Sequence, residues 1–169
     1  MAMVRNVLFG ALAGAAATVV MTQFQNRTQP LMQKVKGNSS GEKKDESSEE
    51  GEATTTKVAD KIYSTVRHSG LPKDKKDQAG QWVHYAFGTL MGGGFGALAS
   101  TLPQGAVGRG LIYGSLVWLI ADEIGVSVAG LSPPPWKVDG ATHAYALLSH
   151  LVYGAALSGV YSAEERIAA

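Results

Sequence analysis

A chain of 169 residues, 45% hydrophobic and 17% charged, has the length and averages of one ordinary soluble domain. Its net charge of +1 offers no basic face for nucleic acid, and without cysteine it has no disulfide, thiolate nucleophile or iron–sulfur ligand. The averages conceal a segregation: residues 27–80 hold 20 of the 29 charged side chains (11 Lys+Arg and 9 Asp+Glu), so the remaining 115 residues are compatible with lipid.

Taken in chain order, the first apolar window covers residues 4–24 and sets a first transmembrane span within 1–28. Arg5 ahead of an apolar run also suits a signal peptide, but the run is long and no Ala-x-Ala site follows, which favours a retained span. Residues 29–56 read as a polar linker. Its stretch "GNSSGEKKDESSEEGEATTT" has too little apolar surface to offset the entropy of ordering, and disorder is expected there. Residues 57–70 read as an amphipathic surface helix, with Thr56 as N-cap, Val58, Ile62 and Val66 as its apolar stripe, and Gly70 and Pro72 as its stop. His68, at its end, reads as a solvated loop residue.

Residues 71–163 then form a three-span core with apolar windows at 82–102, 108–130 and 143–163, followed by a tail at 164–169. A soluble bundle would need a polar face on each helix, yet residues 6–21 offer only Asn6 and Thr18, and residues 85–99 only Thr89. The expected fold class is therefore all-α: an integral membrane four-helix bundle with a short amphipathic helix in its first loop. Pro133, Pro134 and Pro135 end the third span, Trp136 and Lys137 suit the headgroup region, and Thr142 is positioned to cap the fourth. Four spans put residues 27–80 and 131–142 on one side with 12 Lys+Arg, against three (Arg5, Arg109, Arg166) on the other. The positive-inside rule then places the loops in the cytoplasm and both termini outside.

Glycines recur every four residues: Gly10 and Gly14; Gly88, Gly92 and Gly96; Gly110 and Gly114; with Gly154 on the fourth span. Small residues at this spacing let membrane helices approach closely, within one chain or across a dimer seam. "MGGGFG" at 91–96 lacks the Lys-Ser/Thr and the preceding strand of a phosphate loop.

The polar residues of the spans gather toward the charged-loop side. On a wheel of ~100° per residue, His143, Leu147, His150, Gly154 and Leu157 form one stripe. Asp122 shares a face with Ser115, Trp118 and Gly125 and is expected to point into the bundle. Glu123 falls on a greasier face with Ile112, Leu116 and Leu119 and has no nameable partner. Counting ~1.5 Å per residue puts Asp122 ~9 Å and His150 ~10 Å in from the loop side, with His84 at the interface. The opposite ends of the spans read as nearly all apolar. Ionisable groups inside a membrane face a cavity or a partner, so Asp122 and His150 are the expected proton-sharing pair, with His84 and His143 lining the entrance. The same pair also serves if it merely ties helices together. His143 and His150 are too far apart along their helix to share a metal ion, His84 and His150 lie at unlike depths for a haem, and no nucleophile elbow is present. Accordingly no metal, cofactor or catalytic residue is assigned.

Three groups of residues carry a resemblance: His84-Tyr85-x-Phe87-Gly88, Ala121-Asp122-Glu123, and His143 with His150 ahead of Tyr153-Gly154. Over roughly residues 56–160 the chain resembles the YagU-like family of bacterial inner-membrane proteins, a domain of unknown function. The resemblance implies an integral inner-membrane protein and supplies no reaction, cofactor or catalytic residue. Two functional classes follow: proton-linked or small-solute handling through the Asp/His cluster, or a non-catalytic structural or accessory subunit. The lipid bilayer is the expected partner, with a homo-oligomer or a larger membrane complex as open alternatives and no nucleic acid.

Overall fold

The computed structural model describes residues 2–39, 53–102 and 105–167, and every regular element among them is helical. Helix α1 spans Ala2–Ser39, α2 Thr54–Arg67, α3 Lys76–Leu98, α4 Ala106–Val128 and α5 Gly140–Ile167. The chain is an all-α helical bundle.

α1 continues well past the apolar window, through residues 29–39 that the sequence reading assigns to a polar linker. Polar side chains such as Gln29, Gln33 and Lys34 have good helix propensity, so polarity alone does not end a helix. Pro30 lies inside it, removing one backbone donor. The rest of that linker, residues 40–52, lies outside the described residues.

α2 begins at Thr54 rather than after Thr56, and ends at Arg67, where His68 takes a left-handed conformation (φ 55°) and its N–H donates to the Ser64 carbonyl. Thr56 is therefore no cap. It is buried on α3, where Gly80 leaves room for it, and Ala59 is buried beside it. The expected apolar stripe faces elsewhere: Ile62 and Val66 are exposed.

α1, α4 and α5 are long and apolar enough to cross a membrane by length and composition. α3, the second of the four spans expected, is not among them. Its first turns carry Lys76, Asp77, Gln78, Gln81 and His84, and five glycines between 88 and 96 contribute little hydropathy. α3 packs its glycine face on α1 and its start on α2, while Trp82, Leu90 and Leu98 on its outer face are exposed. Leu8, Leu12, Val20, Ile112, Leu116, Ile120 and Leu148 point outward from the three apolar helices. Such a surface suits contact with lipid, where helices satisfy their own backbone groups.

Two glycine-lined crossings set the geometry. Gly10 and Gly14 of α1 meet Gly88, Gly92 and Gly96 of α3, and a Cβ added at Gly92 would lie 2.5 Å from Gly14 Cα. Gly110 and Gly114 of α4 meet Gly154 of α5, where an added Cβ would lie 3.0 Å from Gly114 Cα. Backbones thus touch backbones, and dispersion replaces the hydrophobic drive that lipid removes. α1 also packs on α5, which joins the two pairs. Tyr113 Oη donates to the Met91 carbonyl and Tyr153 Oη to the Gly88 carbonyl, each at 2.6 Å, so α4 and α5 both reach α3. Fully buried Phe95 packs edge-on against Tyr113 and Tyr161, with centroids 5.2 and 5.4 Å away.

The end of the bundle expected to be apolar carries an arginine node. Arg109 Nε donates to Ser158 Oγ (3.0 Å), and Nη2 donates to Ser162 Oγ (2.6 Å) and Glu165 Oε2 (3.2 Å). The guanidinium also lies over the rings of Phe95 and Tyr161, 5.7 and 5.5 Å from their centroids. One turn of α4 is thereby fixed to two turns of α5. Arg109→Met keeps the apolar stem and removes every donor, and a loss of about 2 kcal/mol is expected for charged hydrogen bonds of this kind. It would be read as a lower thermal unfolding midpoint in detergent; an unchanged midpoint would show that the node adds no stability.

Candidate functional site

The site begins with a local departure from α geometry. Within α4, residues Trp118–Gly125 form a π-helical segment, and the Val126 N–H donates five residues back to the Ala121 carbonyl. Gly125 permits the wider turn, because a Cβ there would stand 2.9 Å from the Ile120 oxygen. In an α-helix, residues five apart diverge by ~140° around the axis. The i→i+5 register reduces that divergence, so Asp122 turns toward the face of buried Val117 and Glu123 toward that of Trp118. The widened turn carries both carboxyls toward α5.

Glu123 therefore has a partner. Its Oε1 lies 2.6 Å from His143 Nδ1, and its side chain is only 12% exposed. The other ring nitrogen, His143 Nε2, is 2.9 Å from the Pro135 carbonyl. Both contacts are acceptors, so a ring protonated on both nitrogens donates to each. His143 thus ties the π segment to the proline-rich loop. It is held there by the start of α5, where the cap is Asp139 rather than Thr142. Asp139 Oδ1 accepts from the Thr142 N–H (2.9 Å) and Oδ2 from the Thr142 hydroxyl (2.6 Å).

Asp122 and His150 come together less tightly. His150 is buried, its Nδ1 lies 2.9 Å from the Ala146 carbonyl one turn back, and Asp122 Oδ2 is 3.6 Å from the same nitrogen. The Nδ1 proton goes to the carbonyl, which leaves Nε2 as an acceptor in the neutral ring. Asp122 is within ion-pair range but accepts no hydrogen bond from the described residues, and 41% of its side chain is exposed.

That exposure is into a cavity of about 880 Å³. The cavity brings together all five polar residues singled out in the sequence: His84, Asp122, Glu123, His143 and His150 line it. His84 Nε2 is buried with no hydrogen-bond partner among the described residues. Thr22, Gln25 and Gln29 of α1 and residues 53–56 at the start of α2 complete the polar wall. Across it, Tyr145 Oη donates to the Gln25 carbonyl at 3.2 Å. Of the eight glycines expected to pack helices, Gly88 alone reaches the cavity; Gly10, Gly14, Gly92, Gly96, Gly110, Gly114 and Gly154 lie in the two crossings away from it.

The chain matches no family model, no curated protein and no solved structure. What the site can do follows from its own chemistry. Among the described residues no three or more of His, Asp and Glu are grouped to hold a metal ion. Among the described residues no Lys or Arg lines the cavity, and its titratable members there are carboxyls, imidazoles and tyrosines. The wall also contains Met21, Phe87, Met91 and Val117. A pocket of this size, with an apolar wall and a few convergent polar groups, is the usual form of a small-molecule site. Two features were hidden from the sequence: the Glu123–His143 pair, and the wall supplied by α2. The only local signal for the first was Gly125 three residues after Asp122, and glycine alone does not announce a π turn.

Proposed function

We propose that this chain is a multi-pass membrane protein that admits a proton or a small solute to a cavity at one end of its bundle, with Asp122 and His150 as its proton-exchanging pair. The observation that carries this reading is the 880 Å³ cavity into which Asp122 opens while His150, 3.6 Å away, stays buried. A carboxyl held within an apolar protein without a hydrogen-bond donor is costly for structure alone, and such residues mark ion or substrate pathways. Imidazole titrates near neutral pH and suits the exchange. The accessory-subunit reading has less support, since the glycine faces such a subunit would offer to a partner are occupied inside the chain.

The proposal extends to location. The likeness to YagU-like proteins favours the bacterial inner membrane, and the excess of Lys and Arg in residues 27–80 favours a cytoplasmic face for the cavity mouth. Proton flux into proteoliposomes tests the central claim. Wild-type protein is expected to conduct above empty liposomes, with Asp122→Asn and His150→Ala each about tenfold or more slower, the scale of a positioned proton-transfer group. Equal flux in all three, at the level of empty liposomes, would overturn it.

A further inference from the structure

We infer that the cavity's solute is a small organic ammonium ion, an amine that is protonated and carries an apolar body. The inference rests on the solute-cavity reading above and adds the chemical class.

Three polar groups at the cavity take no hydrogen bond from the described residues, and two of them are acceptors. Asp122 accepts no hydrogen bond from the described residues, although its carboxylate opens into the cavity. His150, 8% exposed, commits Nδ1–H to the Ala146 carbonyl, and its Nε2 takes no hydrogen bond from the described residues. Buried His84 Nε2 is likewise unmatched. Glu123, by contrast, is already satisfied by His143. A ligand that completes Asp122 and His150 Nε2 brings N–H or O–H donors, and positive charge complements the carboxylate.

An anion finds no cationic Lys or Arg side chain there: among the described residues neither lines the cavity, whereas Asp77, Asp122 and Glu123 all do. A carboxylate or phosphate would meet repulsion from Asp122 and would leave the acceptors unpaired, the costly outcome for groups away from water. A bare metal cation fits poorly as well. Alkali and alkaline-earth ions need several oxygens converging within a few ångströms, and no group of three or more acidic or imidazole side chains among the described residues is arranged that way.

Size and wall then select an organic cation. A volume of about 880 Å³ is that of a pocket for a molecule of many heavy atoms rather than for an ion. Met21, Phe87, Met91 and Val117 give an apolar surface for a hydrocarbon body. The ammonium head would sit between Asp122 and His150, donating to the carboxylate and to the free imidazole nitrogen.

The test uses three probes that share a benzyl group on the full chain in detergent, followed by calorimetry: benzylammonium, phenylacetate and benzyl alcohol. Benzylammonium is expected to bind at least tenfold more tightly than either of the others. Asp122→Asn should weaken it about tenfold or more, one charge-assisted contact's worth, and Asp122→Glu should retain it. Should Asp122→Asn fail to fold, the probe ranking on wild type and the Asp122→Glu result decide. Tighter phenylacetate or benzyl alcohol binding, or an Asp122→Asn affinity equal to wild type, overturns the ammonium assignment while leaving a solute cavity in place. If no probe binds but proton flux persists, the ammonium assignment fails and the proton reading survives. If neither is seen, both fall.

Discussion

Gly92→Leu is expected to prevent α1 from docking on α3. Gly92 lies at the centre of that crossing, facing Gly10 and Gly14, and even the first carbon of a side chain would be 2.5 Å from Gly14 Cα. The obstructing atoms are backbone, so no rotamer change relieves the overlap. The two helices must separate, and the contacts on either side separate with them. Overpacking a core usually costs about 1–3 kcal/mol, and more where neighbours cannot move. Here it should reach on the order of 3 kcal/mol or above, enough to deplete the folded protein. Gly159→Leu provides the control, because Gly159 is also helical yet has open space around it. Monodisperse yield in detergent and the thermal midpoint should collapse for the first substitution and stay near wild type for the second. Equal behaviour would mean that the α1–α3 crossing does not hold the bundle together.

The contrast between these glycines shows which parts of the fold were legible beforehand. Hydropathy marks α1, α4 and α5, because twenty apolar residues in a row leave few alternatives to a helix in lipid. Spacing of four identifies the glycines that can mediate close approach. It does not separate Gly92 from an exposed glycine, since only the partner helix does that. Helix extent was less legible. α1 runs on through Gln25, Asn26, Gln29 and Lys34, where a polar sequence remains helical. α2 buries Thr56 and Ala59 instead of its valine and isoleucine stripe, because a close approach to Gly80 favours small side chains over the most apolar ones.

The candidate site was half legible for a more specific reason. Depth along a helix depends on residue count, and counting placed Asp122, His84, His143 and His150 at one end, where they share a cavity. Direction around a helix depends on its period, and the wheel assumed 3.6 residues per turn throughout. The π segment at Trp118–Gly125 breaks that assumption at the residues that matter. Glu123 therefore reads as lying on a greasier face without a nameable partner, while it lies 2.6 Å from His143. Arg109 is hidden for a different reason. In the sequence it is only a charge near a membrane face, and nothing local marks the serines one turn apart on α5 that its guanidinium reaches.

The Glu123–His143 pair yields the second large effect. Glu123 is 12% exposed beside His143, so His143→Ala takes away its ring partner, and deleting one member of a buried pair strands the other's charge. Because the pair borders the cavity, with His143 27% exposed, the expected loss is about 2–3 kcal/mol, below the range for fully enclosed pairs. Replacing both members with apolar residues, as in Glu123→Leu with His143→Phe, removes the stranded charge and should recover most of that stability. His143 has a second task that the double variant cannot recover. Its Nε2 holds the Pro135 carbonyl, and with it the loop that carries exposed Lys137. Tryptic cleavage after Lys137 should therefore be faster than wild type in both His143→Ala and the double variant, while the thermal midpoint falls mainly in the single one. Midpoints that fall equally in both variants would show that the pair contributes packing rather than charge compensation. Unchanged cleavage would show that the loop is held by its prolines alone.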